Sequence, residues 1–316
     1  MPDKAVRIRQ ASTNGQARPR LLAIAGDSAA GKTTLSRGLV EAIGEDRATV
    51  ICVDDYHRYD RAERKGMTIT PLHPDCNYVQ VMEQHLQLLA IGQPILKPVY
   101  DHATGELVRP ELVEPKEIVI VEGLLPLHTR LSRACFDVSV YLSPPEDIRK
   151  GWKVHRDTTQ RGYTEDQVLD ALRRREPESE AYIRPQRSHA DIVVTFAPIE
   201  GRDDPPGTPL SATLLLRPTI PHPDFGRMQS PGDAAGEPAM HLKLMRDDDG
   251  RPVDALHIHG HAPPEDTRAL KKLVWEDLGR DEPLPDSLGR IGSDFTSEPL
   301  ALTQLILLHH LLRSFE

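Results

Sequence analysis

An eight-residue run near the N-terminus constrains this chain more than any other feature. Gly26-Asp27-Ser28-Ala29-Ala30-Gly31-Lys32-Thr33 fits G-x-x-x-x-G-K-[ST] at every fixed position, and Thr34 follows it. The run lies between a short apolar stretch, Leu21 to Ala25, and a segment with Leu35, Leu39 and Ile43 at helical spacing. A strand, a glycine-bearing turn and a helix in that order make a phosphate cradle. Backbone N–H groups close around the anion, and the helix N-terminus adds positive potential. Lys32 would reach the β- and γ-phosphates of a nucleoside triphosphate, and the Thr33 hydroxyl would hold Mg²⁺. ATP and Mg²⁺ are therefore the expected ligands, with the residues from Gly26 to Thr34 around the phosphates.

The rest of the first two hundred residues alternates strand and helix signals. Strands are expected over Thr49 to Val53, Ile118 to Val121, Phe136 to Leu142 and Ala190 to Phe196. Helices are expected over Tyr78 to Ala90, Pro145 to Asp157 and Glu165 to Arg175. Such alternation implies a mainly parallel sheet flanked by helices, an α/β fold. Composition then shifts. Glu200 to Pro209 and Pro218 to Pro238 read as linkers, with strand patterns at Leu210 to Arg217, Met240 to Met245 and Val253 to Ile258. Two helices, Glu265 to Leu278 and Leu300 to Leu312, complete a smaller α+β appendage.

Charge and cysteine content narrow the class. With 39 Lys and Arg against 48 Asp and Glu, the formal charge is −9, which argues against nucleic acid or anionic membrane as the main partner. No apolar run approaches the length of a membrane span, and the N-terminus lacks a signal-peptide core. Cys52, Cys76 and Cys135 show no metal-ligand spacing, so a cytoplasmic chain with reduced thiols is expected.

Acceptor chemistry is written after the second strand. In the run from Asp54 through His57 to Arg61, a carboxylate can take a hydroxyl proton while His and Arg bind an existing phosphate. Glu122, ending an apolar strand, is placed at the carboxyl edge of the sheet as a second Mg²⁺ ligand beside Thr33. Arg149, Lys153 and Arg156 recur on one helix face, where phosphoryl transfer would need cations.

These runs together resemble the phosphoribulokinase/uridine kinase family of P-loop kinases, over about Leu21 to Ala197. Lys97-Pro98-Val99-Tyr100-Asp101-His102, Val121-Glu122-Gly123-Leu124, Trp152 to Asp157 with Arg161-Gly162-Tyr163, and Pro185 to Asp191 carry the resemblance toward its phosphoribulokinase branch. The resemblance implies that Asp54 is the catalytic base and that His57, Arg61, Tyr100 and His102 contact a sugar phosphate. It implies that Lys153 and Arg156 steady the transferring phosphoryl group and that Asp157 is a second important carboxylate. Arg161, on the acceptor side, and Arg174, on the ATP side, match lid arginines. The expected organisation is a flexible tail at 1–20, a P-loop kinase domain at 21–200 and the appendage at 201–316, a candidate homodimerisation element. The expected reaction is ATP-dependent phosphorylation of ribulose 5-phosphate to ribulose 1,5-bisphosphate. The alternatives are a nucleoside or different sugar phosphate as acceptor, and a nucleotide-binding regulator without turnover.

This chain departs from the family pattern in two places. Redox-regulated members have a cysteine in the phosphate loop; Ala29-Ala30 stands here, so Cys52 lacks its switching partner. Leu125 replaces the histidine the family usually carries after Glu-Gly-Leu. His257, His259 and His261 alternate like a metal cluster, but no third element supplies a ligand, so the metal reading is set aside.

Overall fold

The computed structural model describes residues 18–199, 209–225, 239–279, 282–292 and 295–313. The expected tail lies outside the described residues apart from 18–20, and the expected boundary at 200–201 and most of both linkers lie outside them too. In chain order, β1 (Arg20–Gly26), α1 (Lys32–Ile43) and β2 (Ala48–Cys52) are followed by a 3₁₀ turn at Val53–Tyr56. Then come α2 (Val79–Ala90), β3 (Ile95–Asp101), β4 (Glu106–Val113), β5 (Ile118–Gly123), α3 (Arg130–Cys135) and β6 (Val138–Leu142). They are followed by α4 (Glu146–Gln160), α5 (Glu165–Glu178), β7 (Ile192–Ala197), β8 (Ser211–Leu216), β9 (Met240–Arg246), β10 (Pro252–Ile258), α6 (Pro264–Asp277) and α7 (Glu298–Arg313).

The chain divides into two compact units. The first holds the described residues through Lys32 with Glu45–Leu142 and Glu146–Ala190; the second holds Thr33–Gly44, Ser143–Pro145 and the described residues from Asp191 onward. In the first unit β2, β5, β1 and β6 lie side by side, all parallel. Every residue of β5 and β6 is buried, which is why these strands read as unbroken apolar runs rather than alternating ones. Their ends are pinned by charge. The Asp137 carboxylate, just before β6, accepts from Arg18 Nη1 at 3.0 Å and from the Leu21 backbone N–H at 2.9 Å.

A β-hairpin, β3 with β4, was not anticipated from sequence. Pro98 interrupts β3 and Pro110 interrupts β4, where all but the last residue is exposed, so no apolar alternation marks either strand. In the second unit β7, β8, β10 and β9 form an antiparallel array. Strand β7 pairs with β8 along its whole length, Ile192 to Ala197 against Leu216 to Ser211, and so belongs with the C-terminal elements. The wide apolar arc of α7 is packed inward. Leu302, Leu305 and Leu311 are fully buried, and His309 and His310 are buried among them, so the arc is core and not a free face for a second copy.

Replacing Asp137 by Ala removes the acceptor of the buried Leu21 N–H and the ion-pair partner of the part-exposed Arg18. The expected cost is about 2–3 kcal/mol, read as a lower urea midpoint at unchanged m-value.

Candidate active site

The phosphate loop links β1 to α1. Gly26, Ala29 and Gly31 all have positive φ, +149°, +63° and +95°. A Cβ on Gly26 would stand 2.8 Å from the Leu142 carbonyl oxygen, so only glycine lets the loop leave β1 this way. The loop is braced from outside itself. Arg149 donates to the Ser28 carbonyl at 2.8 Å and faces the Asp27 carboxylate at 3.6 Å, while the Ser179 hydroxyl donates to the other Asp27 oxygen. Lys32 folds back and donates to the carbonyls of Gly26, at 3.0 Å, and Asp27, at 2.8 Å. Burial pushes the Lys32 pKa down, against the opposing pull of Glu122, Asp54 and Asp27. An ammonium hydrogen-bonded to loop carbonyls is ready to exchange them for phosphate oxygens. Thr33 and Thr34 open α1.

Glu122 sits across from Ile24 on one side and Cys52 on the other, at the carboxyl end of three parallel strands. Gly123 follows, and a Cβ there would lie 2.4 Å from Val53 Cβ. That close approach lets the turn after β2 fold over the strand ends and carry Asp54 and Asp55 to the same edge. The two acids then have different fates. Asp55 is consumed: Lys97 ion-pairs with it, and the Tyr100 backbone N–H donates to it at 3.0 Å. The Asp54 carboxylate makes no protein hydrogen bond among the described residues, while its charge acts on Lys32, His57, Arg161 and Arg175.

The acceptor-side residues gather around Tyr100. His57 is buried; its Nδ1 lies 2.8 Å from Asn77 Oδ1, and the Asn77 amide nitrogen donates to the carbonyls of Pro71 and His73. Asn77 Oδ1 is therefore the acceptor and His57 Nδ1–H the donor. Burial lowers the His57 pKa, so the ring is a neutral imidazole with its Nε2 lone pair in reserve. His57, expected as a sugar-phosphate contact, thus stands in this cluster beside Tyr100. Tyr100 packs edge-on against both His57 and His102.

Two arginines reach this cluster. Arg61 is exposed and donates to the His102 carbonyl at 2.6 Å, closing the turn of the hairpin. Arg64, which sequence reasoning missed, donates to the Tyr100 hydroxyl and stacks over its ring at 5.1 Å. Its Nη1 is buried without a hydrogen-bond partner among the described residues, a donor that an anion would satisfy. The signal for Arg64 was weak because a third basic residue in a polar loop looks like solvated surface.

Cations also line the other wall. The buried Lys153 ion-pairs with Asp157, which also accepts from Arg156 Nε at 2.8 Å and faces Arg161 at 3.5 Å. Burial raises the Asp157 pKa, but the bonds from Arg156 and Lys153 outweigh it and hold the carboxyl below its usual range. Asp157 is thus a counter-ion that positions three cations. Burial outweighs the Asp157 attraction at Lys153 and brings its pKa down to about 8. Arg174 is exposed on α5, whereas its neighbour Arg175 lines a narrow cleft with Ser28, Arg149 and Lys153 and faces Asp54 and Asp157. Within the run Arg173-Arg174-Arg175 only helix packing could tell which guanidinium points inward.

Cys52, half-buried at the end of β2, lies in the same corner as Asp54 and His102. Leu125 is a core side chain, 1% exposed, just past β5. Two of the alternating histidines meet on a third from the neighbouring strand, His241, which stacks on both His257 and His259. His257 stacks on His241 of the neighbouring strand and pairs with Thr213, and His259 pairs with His241 at 3.0 Å.

A profile of the phosphoribulokinase / uridine kinase family matches residues 21–200, more than half of the chain. The chain belongs to that family. Phosphoribulokinase of Synechocystis sp. is 40% identical over 197 residues, covering 62% of this chain and 59% of the relative. The chloroplastic phosphoribulokinase of Spinacia oleracea is 33% identical over 223 residues, 65% of this chain and 56% of its own. The chain thus spans little more than half the length of these family members. A phosphoribulokinase structure from Rhodobacter spheroides superimposes with a TM-score of 0.59 at 17% identity, over 83% of this chain and 97% of its own, and shares its fold.

Two outcomes follow from the site. Arg64→Ala should raise KM for a phosphorylated acceptor by about tenfold or more, the value of one charge-assisted contact. It should do so more strongly than Arg61→Ala, with KM for ATP spared in both. If Lys153 acts as a cation, kcat should fall as pH rises through about 8, where the ammonium loses its proton. Lys153→Arg should move that alkaline limb upward in a kcat-against-pH profile.

Proposed function

We propose that the chain transfers the γ-phosphoryl group of ATP to a hydroxyl of a pentulose phosphate, ribulose 5-phosphate, giving ribulose 1,5-bisphosphate. The observation that carries this reading is the separation of Asp54 from Asp55. One acid is locked into the scaffold, and the other is left facing the phosphate loop, a neutral imidazole and several cations. A carboxylate so placed can take the proton of an attacking hydroxyl, and His57 Nε2 can accept a hydrogen bond from a second hydroxyl of the same sugar. Arg64, with its unpartnered buried nitrogen, and Arg61 suit the phosphate already on the acceptor.

Lys153 and Arg175 line the cleft beside the phosphate loop and Lys32 feels the Asp54 charge, so cations stand where negative charge would spread over the phosphoryl oxygens in the transition state. The donor set fits Mg²⁺: Glu122 offers a hard oxygen ligand at the sheet edge, and the loop's own motif supplies the Thr33 hydroxyl. When bound, Mg²⁺ would neutralise phosphate charge. Leu125, being core, leaves acceptor choice to His57, Arg61, Arg64, Tyr100 and His102. No helix among the described residues is long and apolar enough to cross a membrane, and we place the enzyme in the cytoplasm acting on a small molecule.

The test is ATP-dependent product formation across ribulose 5-phosphate, other pentose phosphates and uridine, with Asp54→Asn alongside. Ribulose 5-phosphate should be used best. Asp54→Asn should keep ATP affinity and lose about 10²–10⁴ in kcat. Turnover of the variant within a few-fold of the parent, or preference for uridine, would sink the assignment.

A further inference from the structure

Mg²⁺ would take oxygen ligands, but this corner also holds sulfur and nitrogen. Cys52 Sγ, an Asp54 carboxylate oxygen and a His102 ring nitrogen all lie within 4.8 Å of one another. Cys52 closes β2, Asp54 follows in the 3₁₀ turn, and His102 comes just after β3. Cys52 and Asp54 are half-buried and His102 is exposed, so an ion can enter from solvent. Cys52 is a free thiol, and Glu122 stands opposite it across the strand pair as a further carboxylate. Among the described residues this is the group of Cys, His and acid side chains whose donor atoms converge in this way.

We propose that Cys52, Asp54 and His102 bind a sulfur- and nitrogen-seeking divalent cation, Zn²⁺ or a metal of its kind, and that this ion shuts off phosphotransfer. One thiolate, one imidazole and one carboxylate with a fourth position open to water is a donor set suited to Zn²⁺. Mg²⁺ takes oxygen ligands in near-ideal octahedral geometry and passes over thiol and imidazole. The site therefore distinguishes the two ions by donor chemistry. On binding, the thiol releases its proton to solvent as the sulfur–metal bond forms, and one Asp54 oxygen and one His102 nitrogen donate their lone pairs to the metal. The base and the acceptor-side imidazole are then tied to one ion, and the acceptor hydroxyl cannot reach the base. Lys32, Arg161 and Arg175 also face Asp54, so the site competes with neighbouring cations and answers to metal excess rather than holding the ion permanently. The inhibition rests on the phosphotransfer reading; the binding does not.

Co²⁺ is the probe, titrated into the full chain and into Cys52→Ser. The parent should develop a near-ultraviolet sulfur-to-cobalt charge-transfer band that Cys52→Ser lacks. His102→Gln should keep the band but need about tenfold more Co²⁺. In excess Mg²⁺, Zn²⁺ should inhibit the parent competitively with the sugar phosphate, and Cys52→Ser should raise the half-inhibitory free Zn²⁺ by about tenfold or more with basal turnover kept. Cys52→Ala serves in the same assay if the serine variant does not fold. A band that survives in both cysteine variants, or equal Zn²⁺ inhibition of parent and variants, overturns the proposal. A cobalt band in a chain that phosphorylates no acceptor upholds the metal site and overturns the phosphotransfer reading alone.

Discussion

Lys97 holds the active corner together from beneath. Its ammonium is buried under the β3–β4 hairpin, ion-paired to Asp55 and to Glu111 at 2.9 Å. Burial works against that charge, and the bonds to Asp55 and Glu111 outweigh it, so the Lys97 pKa ends above its ordinary value. Because removing one member of such a pair strands the other, the contact fixes geometry more than it adds stability. It ties the turn after β2 to the hairpin, and through that turn it sets where Asp54, His57, Tyr100 and His102 stand. Ile95 and Tyr100 anchor one side of the hairpin, while Leu96 and Leu112 are 63% and 68% exposed.

The same logic of paired charges shapes the opposite wall. Lys153, Arg156 and Arg161 would repel one another, and Asp157 is the anion that lets them share a corner. A carboxylate committed to three cations has no spare basicity, which separates its role from that of Asp54. Glu146 does a comparable job for Arg149, whose remaining donors grip the phosphate loop. The cleft is thus built from cations that are each restrained by one acid and still face the place where phosphate charge would develop.

Much of this was legible in the residues. The helix Lys32–Ile43 is found with its expected bounds, and β2, β5 and β6 lie within two residues of theirs, because a buried parallel strand is an apolar run with sharp polar ends. The hairpin was not legible, since prolines and charges hide its alternation. Arg64 and Arg175 were not legible either. Each lies close in sequence to another arginine, and only the packing of a loop or a helix decides which guanidinium is buried. The C-terminal helix belonged to a candidate homodimerisation element, and its residues from Leu300 to Leu311 are buried within the chain itself.

Sequence alone determined the chemistry on offer: a phosphate loop, an acid after the second strand, an acid ending a later apolar strand, and cations at helical spacing. These are local properties, because turn geometry, strand ends and helix periodicity are set by neighbours along the chain. Tertiary structure decided which group does what. Asp54 and Asp55 are adjacent and chemically alike, yet one meets Lys97 and the Tyr100 N–H while the other meets the open cleft. The convergence of Cys52 and Asp54 with His102 is equally a matter of folding, since the three are brought within bonding reach by two separate strands. Such assignments depend on long-range contacts, and no window of sequence carries them.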